Sequence, residues 1–379
     1  MHLAYDATAL PPQPVGAGNY IIQLLRALVE QSTGARFSVF VQPHQRALLN
    51  LPANAPVEFI AVPTMSPAVR LLWEQTRFPQ QLMRLQPNLL HSPHYTMPLA
   101  APIPTIVTLH DATFFYYPQY HTRAKRHFFP FIMRLSARRA AALLTVSEST
   151  RQDMQRWIAA PPEKTFATPL GVAPDFSPID DTAILDAAAR KYALPPKFIL
   201  FVGLLEPRKN LPALLRAYTR LAPLAPETAL VIVGRTGWMT QAILDQTPAH
   251  LHPRIHFTGY VDQADLPAVY NLAGVFVYPS FYEGFGLPVL ESLACGTPVI
   301  TTPISSMPEV AGDAALYVPP QDDAALSEAI LRILNDPNLA QTLRARGLER
   351  AATFTWQRTA QQTLQVYRRV LAHTKPANE

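Results

Sequence analysis

A single cysteine, Cys295, among 379 residues excludes an internal disulfide framework and a cysteine-ligated zinc cluster within the chain. In SLACGTPV it reads as a small buried residue. Charge is also scarce: Asp, Glu, Lys and Arg together make up 16% of residues and apolar types 49%, a balance that excludes a disordered chain. No apolar run approaches the roughly 20 residues that span a bilayer. The opening MHLAYDATAL lacks the basic segment and apolar core of a signal peptide, so a cytoplasmic protein is expected. The Gly-x-Gly-x-x-Gly fingerprint of dinucleotide binding is missing too, because Ile21 stands where the third glycine would follow Gly16 and Gly18. That argues against a nicotinamide-dependent dehydrogenase. The formal net charge of +5 comes with arginine far ahead of lysine, which suits phosphate recognition. No nucleic-acid-binding motif accompanies it, and no nucleic-acid partner is expected.

The length exceeds what one hydrophobic core usually organises, so two domains are expected. Short apolar runs alternate with helical patterns. FSVFV (37–41), NLLHSP (88–93), TIVTLHD (105–111) and ALLTVS (142–147) read as strands buried on both faces in the first half. FILFVG (198–203), ALVIVG (229–234), IHFTGYV (255–261), VFVYPS (275–280) and TPVITT (297–302) do so in the second. Helical patterns cover 20–30, 123–139, 211–221, 266–272 and 356–373. GVAPDFSPIDD (171–181) has the composition of a linker. The 39 prolines are dispersed and read as loop punctuation. The predicted class is α/β, with two Rossmann-like, doubly wound parallel sheets: residues 1–175 plus the C-terminal helix 356–373, and residues 182–355. Ligands in such sheets bind beyond the carboxyl ends of the strands.

The richest chemistry follows one strand end, in PSFYEGFGLPVLESLACGTPVI. Glu283 sits in the loop and Glu291 one turn into the helix that begins near Pro288. The glycines let the amides of Phe285, Gly286 and Leu287 approach a ligand at a helix start, an anion site suited to phosphate. A solvated turn with two surface glutamates is the plainer alternative. In FVGLLEPRKNLPALL, Arg208 and Lys209 occupy the loop after Gly203, where two cations suit a diphosphate whose charge grows as it leaves. His110 and Asp111 end a strand in TIVTLHDATF; His110 is either a structural histidine or a hydrogen-bonding group for a sugar. The paired glycines Gly16 and Gly18 beside Asn19 offer close backbone approach to a phosphate or an acceptor.

Taken in order, LHD (109–111), TVSEST (145–150), LGVAPDF (170–176), LEPRKN (205–210), EGFGLPVLE (283–291), SSMPEVAGDAALYV (305–318) and FTWQRTA (354–360) resemble the group 1 (family 4) retaining GT-B glycosyltransferases, which include bacterial mannosyltransferases. The resemblance spans nearly the whole chain. It implies an acceptor-side first domain and a donor-binding second domain facing a cleft, with the C-terminal helix crossing back to the first. It further implies that Glu283 holds donor-sugar hydroxyls and Glu291 the ribose, while Arg208 and Lys209 neutralise the diphosphate. The amides of Phe285, Gly286 and Leu287 would bind the distal phosphate or the sugar. His110 would contact the sugar, the Gly16/Gly18 loop would face the reacting phosphate, Gly203 would lie at the donor strand end, and Gly259 to Val261 would line the nucleobase. Such enzymes retain anomeric configuration, the leaving phosphate taking the acceptor's proton, and generally need no metal. No Asp-x-Asp triplet is present here, so no metal site and no cofactor beyond the nucleotide sugar are expected. Two departures stand out: Leu204 replaces the arginine that follows the strand-end glycine in many relatives, and Ala173 replaces the aspartate of Asn-Gly-Val-Asp.

The reaction implied is hexose transfer to an acceptor hydroxyl, with mannose from GDP-mannose favoured and Asp262 or Asp265 available to guanine. A nucleotide-sugar epimerase or hydrolase, or a non-catalytic nucleotide-sugar binder, are the other readings of the same fold. HTRAKRHFFPFIMRLSARRAA (121–141) and PAVRLLWEQTRFP (67–79), in which Trp73 is expected to be exposed, mix arginines with aromatics. Either they form a peripheral face toward the inner membrane for a lipid-linked acceptor, or they are a solvated helix face with core aromatics. The partners expected are therefore a nucleotide-sugar donor and a glycan or lipid-linked acceptor; a membrane surface joins them only on the first of those two alternatives.

Overall fold

A computed structural model describes residues 1–234 and 247–374. The chain divides into two compact units, one of residues 1–171 with 355–379 and one of residues 172–354. The first unit is built on seven strands: β1 (His2–Asp6), β2 (Arg36–Val41), β3 (Val57–Ala61), β4 (Leu89–Ser92), β5 (Thr105–Leu109), β6 (Ala142–Thr145) and β7 (Thr165–Ala167). They are all parallel, in the order β3-β2-β1-β4-β5-β6-β7. The second unit has six parallel strands in the order β10-β9-β8-β11-β12-β13: β8 (Phe198–Val202), β9 (Ala229–Val233), β10 (Ile255–Gly259), β11 (Val275–Tyr278), β12 (Val299–Thr301) and β13 (Ala315–Tyr317). In both sheets the chain order reverses beside the first strand, β1 or β8, the switch point at which loops diverge and leave room for ligands. Four strands go beyond the sequence expectation. β7 and β13 have three residues each, β3 carries Glu58 and is only half-buried, and β1 is a five-residue run at the chain start.

Pleat alternation sorts the side chains of the first sheet. Ala4 and Leu90 face one layer, where they join Phe40, Val62, Trp73, Phe78 and Leu82 in a buried cluster. Trp73 is thus a core residue stacked on Phe78 at 4.8 Å and does not lie on the surface as its arginine neighbours suggested. The helix Pro67–Leu85 that carries it turns its apolar stripe inward because packing an indole recovers far more than solvating it. On the opposite face lie the helix Ala17–Gln31 and the C-terminal helix Trp356–Thr374, packed on each other. A buried hydrogen-bond chain ties them to the sheet. Tyr367 Oη lies 2.6 Å from His91 Nδ1, His91 Nε2 lies 2.8 Å from Thr108 Oγ1, and that hydroxyl lies 2.9 Å from Tyr20 Oη. Burial pushes His91 down to about 3, so its ring is neutral and donates at one nitrogen while accepting at the other.

Gly171 ends the first unit's outgoing segment at the point where the chain returns. A Cβ there would lie 2.1 Å from Trp356 N and 2.4 Å from Thr355 C, so only glycine lets the two backbones touch. The atoms in the way are backbone and cannot swing aside. Gly171→Ala is therefore expected to destabilise the protein by about 1–3 kcal/mol or more through overpacking. Urea unfolding followed by tryptophan fluorescence checks this, and an unchanged midpoint would contradict the close approach.

Candidate active site

The turn after β8 and the loop after β11 meet at the carboxyl edge of the second sheet. A single 3-10 turn, Pro207–Lys209, opens the first, and Asn210 closes it in the left-handed conformation at φ 56°. The Asn210 side chain fixes that conformation by donating to Pro279 O at 3.1 Å and Pro320 O at 2.6 Å. The Arg208 carbonyl accepts the Phe281 N–H at 2.8 Å, which fastens the turn to the end of β11.

These constraints place three charges together. Glu283 Oε1 lies 2.6 Å from Lys209 Nζ and 2.9 Å from Arg208 Nη1, and it accepts the Ser280 hydroxyl at 2.6 Å. Lys209 Nζ also donates to the Tyr278 hydroxyl, and Arg208 Nε reaches Glu206 at 2.9 Å. Every one of these contacts to the Glu283 carboxylate falls on Oε1, which leaves Oε2 to accept from a ligand. Burial alone would push the Glu283 carboxyl up, but the Arg208 and Lys209 charges and the hydrogen bonds outweigh it and hold it at about 2. Burial pushes Lys209 down to about 8, with Glu283 pulling it up and Arg208 pressing it further down. The carboxylate is anionic at neutral pH and buried between two cations.

Beyond Glu283 the chain turns through Gly286 at φ 105°, a value glycine tolerates, into the helix Leu287–Ala294. A Cβ at Gly286 would lie 2.3 Å from the Met307 methyl group. Ser306 Oγ lies within hydrogen-bond reach of Glu283 O and Phe285 O, and Ser305 accepts the Glu283 N–H at 3.1 Å, so the loop is braced from beneath. None of the hydrogen bonds among the described residues uses the N–H groups of Phe285, Gly286 or Leu287. They stand free at a helix start, where an anion is favoured. Glu291, buried in the second turn, accepts from Tyr270 Oη at 3.0 Å on Oε2 only. Burial pushes it up to about 7 against that hydrogen bond.

The remaining sequence candidates fall as follows. Gly203 donates to Val233 O at 2.9 Å beside β9, and its own carbonyl leaves no room for a side chain at Gly234. Gly259 ends β10 at φ 72° facing open space, and Val261 is buried next to it. Asp262 and Asp265 each present one oxygen to Lys191 Nζ, at 2.7 and 2.6 Å, so part of each carboxylate expected to meet guanine is already engaged. In the first unit, His110 Nε2 lies 2.9 Å from Pro93 O, and the ring packs edge-on against Tyr20 and Tyr95. Burial pushes it down to about 4, so the neutral ring keeps its proton on Nε2 and a lone pair on Nδ1. Gly16, at φ 51°, precedes the helix, which opens at Ala17 and not after Asn19. Gly18 lies inside the first turn against Pro11 and Pro14. Gly16 keeps open space around it; Gly18 is a packing glycine.

Sequence reasoning passed over Tyr278, Ser280, Asn210, Ser305 and Ser306, which orient the charged groups and carry no charge of their own. It also passed over a buried cluster in the first unit, in which Asp6, Glu74 and His94 offer ligand atoms within 4.8 Å of one another. Arg70 lies 2.8 Å from Glu74 and 3.9 Å from Asp6, while His94 lies 3.0 Å from Asp6. The cluster carries its own cation and reads as a salt-bridge network.

Both α/β units match known glycosyltransferase families. The family model described as "Glycosyl transferases group 1" matches residues 186–350, and the one described as "Glycosyltransferase Family 4" matches residues 14–176. The chain is 34% identical over 281 residues to O-antigen chain mannosyltransferase B of Escherichia coli, covering 73% of each. It is 32% identical over 242 residues to the serotype-specific mannosyltransferase WbdA of the same species, covering 62% of this chain but only 30% of that longer one. Sucrose-phosphate synthase of Thermosynechococcus elongatus superposes with a TM-score of 0.78 at 24% identity, covering 98% of this chain and 100% of that one. The chain belongs to the group 1 (family 4) glycosyltransferases.

Removing the carboxylate leaves the buried Lys209 facing the half-buried Arg208 with no counter-charge between them. Glu283→Ala is expected to cost about 3–5 kcal/mol of stability, as for other broken buried ion pairs. A urea midpoint equal to that of the parent would show that the carboxylate does not hold the cations.

Proposed function

We propose that the protein transfers a hexose with retention from a nucleotide sugar to an acceptor hydroxyl without a metal, with mannose from GDP-mannose as the favoured donor. The observation that carries this reading is the one-sided use of Glu283: Oε1 is held by two cations and a serine, and Oε2 remains for donor hydroxyls. The likeness to mannosyltransferases supports the sugar. In this reading the donor diphosphate lies against the amides of Phe285, Gly286 and Leu287 and the side chains of Arg208 and Lys209. As the anomeric carbon–phosphate oxygen bond breaks, the acceptor oxygen bonds to the same face of that carbon. Its proton passes to the departing phosphate oxygen. Arg208 and Lys209 stabilise the charge that grows there. Glu291 accepts from the ribose diol, Gly259 and Val261 line the base, and Gly203 leaves room at the strand end; in the first unit, His110 is the proposed contact for the sugar and the Gly16/Gly18 loop for the reacting phosphate. The acceptor is a glycan or a lipid-linked glycan, the latter bringing the protein to a membrane surface.

Purified protein incubated in EDTA with GDP-, UDP- and ADP-sugars is expected to release nucleoside diphosphate from GDP-mannose, slowly without acceptor. Glu283→Ala and Lys209→Ala should each lower that rate by about a hundredfold or more. Full activity in either variant would remove the residue from the site, and faster turnover of a UDP-sugar would displace GDP-mannose as donor. NMR of the glycosylated product reports the anomer, and inversion would refute retention.

Glu291 adds a pH signature. Its folded value near 7 leaves about a tenth of it ionised at pH 6 and nine tenths at pH 8. A ribose diol donates to the ionised form, so GDP affinity should rise about tenfold over that interval relative to Glu291→Gln. Isothermal calorimetry at the two pH values checks this; parallel profiles in parent and variant would take the ribose away from Glu291.

A further inference from the structure

β4 ends at Ser92, and residues 93–98 continue without helix or strand at the carboxyl edge of the first sheet. Backbone outside a ladder takes its position from side-chain partners. Here those partners come from β1 and from the helix Pro67–Leu85. Asp6 is ionised, so His94 Nε2 donates to its Oδ2, at 3.0 Å, while His94 Nδ1 lies 3.2 Å from Thr96 Oγ1. Thr96 Oγ1 donates to Glu74 Oε2 at 2.7 Å and accepts from Arg70 Nη2 at 3.2 Å. Gln75 adds two tethers, donating to Met97 O at 2.8 Å and accepting the Leu99 N–H at 3.0 Å. Asp6 and Glu74 are wholly buried, and His94 and Thr96 nearly so. A buried ion network of this kind adds little net stability over apolar packing of the same volume. What it gives is position, because both ring nitrogens of His94 are fastened at once.

The neighbour of His94 in the chain is Pro93, whose carbonyl accepts the Nε2–H of His110 at 2.9 Å. Tyr95, on the other side of His94, packs edge-on against the His110 ring at 5.5 Å. One short segment therefore supplies both the hydrogen-bond acceptor of His110 and a wall of its ring. Burial keeps that ring neutral. A neutral imidazole carries its proton on the nitrogen that its partner selects. Pro93 O selects Nε2, which leaves Nδ1 as an acceptor. The two tautomers make opposite demands on a sugar hydroxyl: with Nδ1 bare the hydroxyl must donate, and with Nδ1 protonated it must accept.

We infer that His94 is a positioning residue for the transfer reaction: anchored by Asp6 and by Thr96 on Glu74, it holds the Pro93 carbonyl that fixes which nitrogen of His110 meets the donor sugar. The inference rests on the reading of His110 as a sugar contact and deepens it. His94 acts through His110 and needs no contact of its own with substrate.

Proton–nitrogen correlation NMR of the full chain, with its histidine ring nitrogens labelled, reads which nitrogen of each ring carries a proton. His110→Gln identifies the His110 signals by their loss. At neutral pH the parent is expected to show His110 protonated on Nε2 alone. In His94→Leu the two His110 nitrogens should move toward averaged positions, and hydrolysis of GDP-mannose should fall by about tenfold to a hundredfold. His94→Gln, whose amide still donates to Asp6, should restore most of both. Thr96→Val removes the hydroxyl on which Glu74, Arg70 and His94 converge but keeps the side-chain shape, and should shift the His110 signals in the same direction. It keeps the test open if His94→Leu does not fold, and urea midpoints report the folding of each variant. A parent with His110 protonated on Nδ1 would overturn the inference, as would His110 signals in folded His94→Leu or Thr96→Val that match the parent. The NMR readout needs no donor. A changed His110 signature with unchanged hydrolysis would instead remove His110 from the site, so a failure of the proposed function is read separately from a failure of the positioning.

Discussion

The second unit is organised around one buried carboxylate. Placing Glu283 between Lys209 and Arg208 removes two charges from water and partly buries a third, which is tolerable only when each has partners in good geometry. That requirement reaches outward. Tyr278 and Ser280 at the end of β11 supply hydroxyls to the cluster, and Asn210 holds the turn that delivers the cations. Ser305 and Ser306 brace the loop that delivers the acid, and Gly286 lets that loop bend over Met307. The amides left unpaired at the next helix start are a by-product of the same bend. Acid, cations and anion site are therefore one construction.

The first unit handles polarity in another way. Its deepest polar chain, from Tyr20 through Thr108 and His91 to Tyr367, is neutral throughout, so each member needs only a partner and no counter-charge. A buried charged cluster there, Asp6, Arg70, Glu74 and His94, sets its carboxylates against Arg70 within itself. The carboxyl of Asp6 is held at about 2, because the His94 and Arg70 charges and its hydrogen bonds outweigh the upward push of burial.

Long apolar strands and the glycine- and proline-marked loops after β8 and β11 were legible in the sequence, because burial on both faces and special backbone angles leave strong composition signals. Glu283, Arg208 and Lys209 could be singled out because they sit in those loops, but that the three charges meet shows only in the structure. Strands of three residues, such as β7 and β13, carry too few positions for a period to show. The supporting hydroxyls were invisible because Ser280, Ser305 and Ser306 are common loop residues whose importance is purely spatial. Trp73 misled because a charged neighbour along the chain says nothing about which way a helical side chain points; Trp73 faces the core while Leu72 beside it is 65% exposed.

The hydrogen-bonded pair of His91 and Tyr367 has a consequence for biogenesis. Chain order and completion order are inverted. The first unit takes its last helix from residues 356–374, so its core has an open groove beside the helix Ala17–Gln31 until that segment has been made. The second unit is one uninterrupted stretch, 172–354, and has all its strands before that helix emerges. The segment made first must therefore wait, with Tyr20 and His91 lacking their partner layer, while the segment made later closes its own sheet.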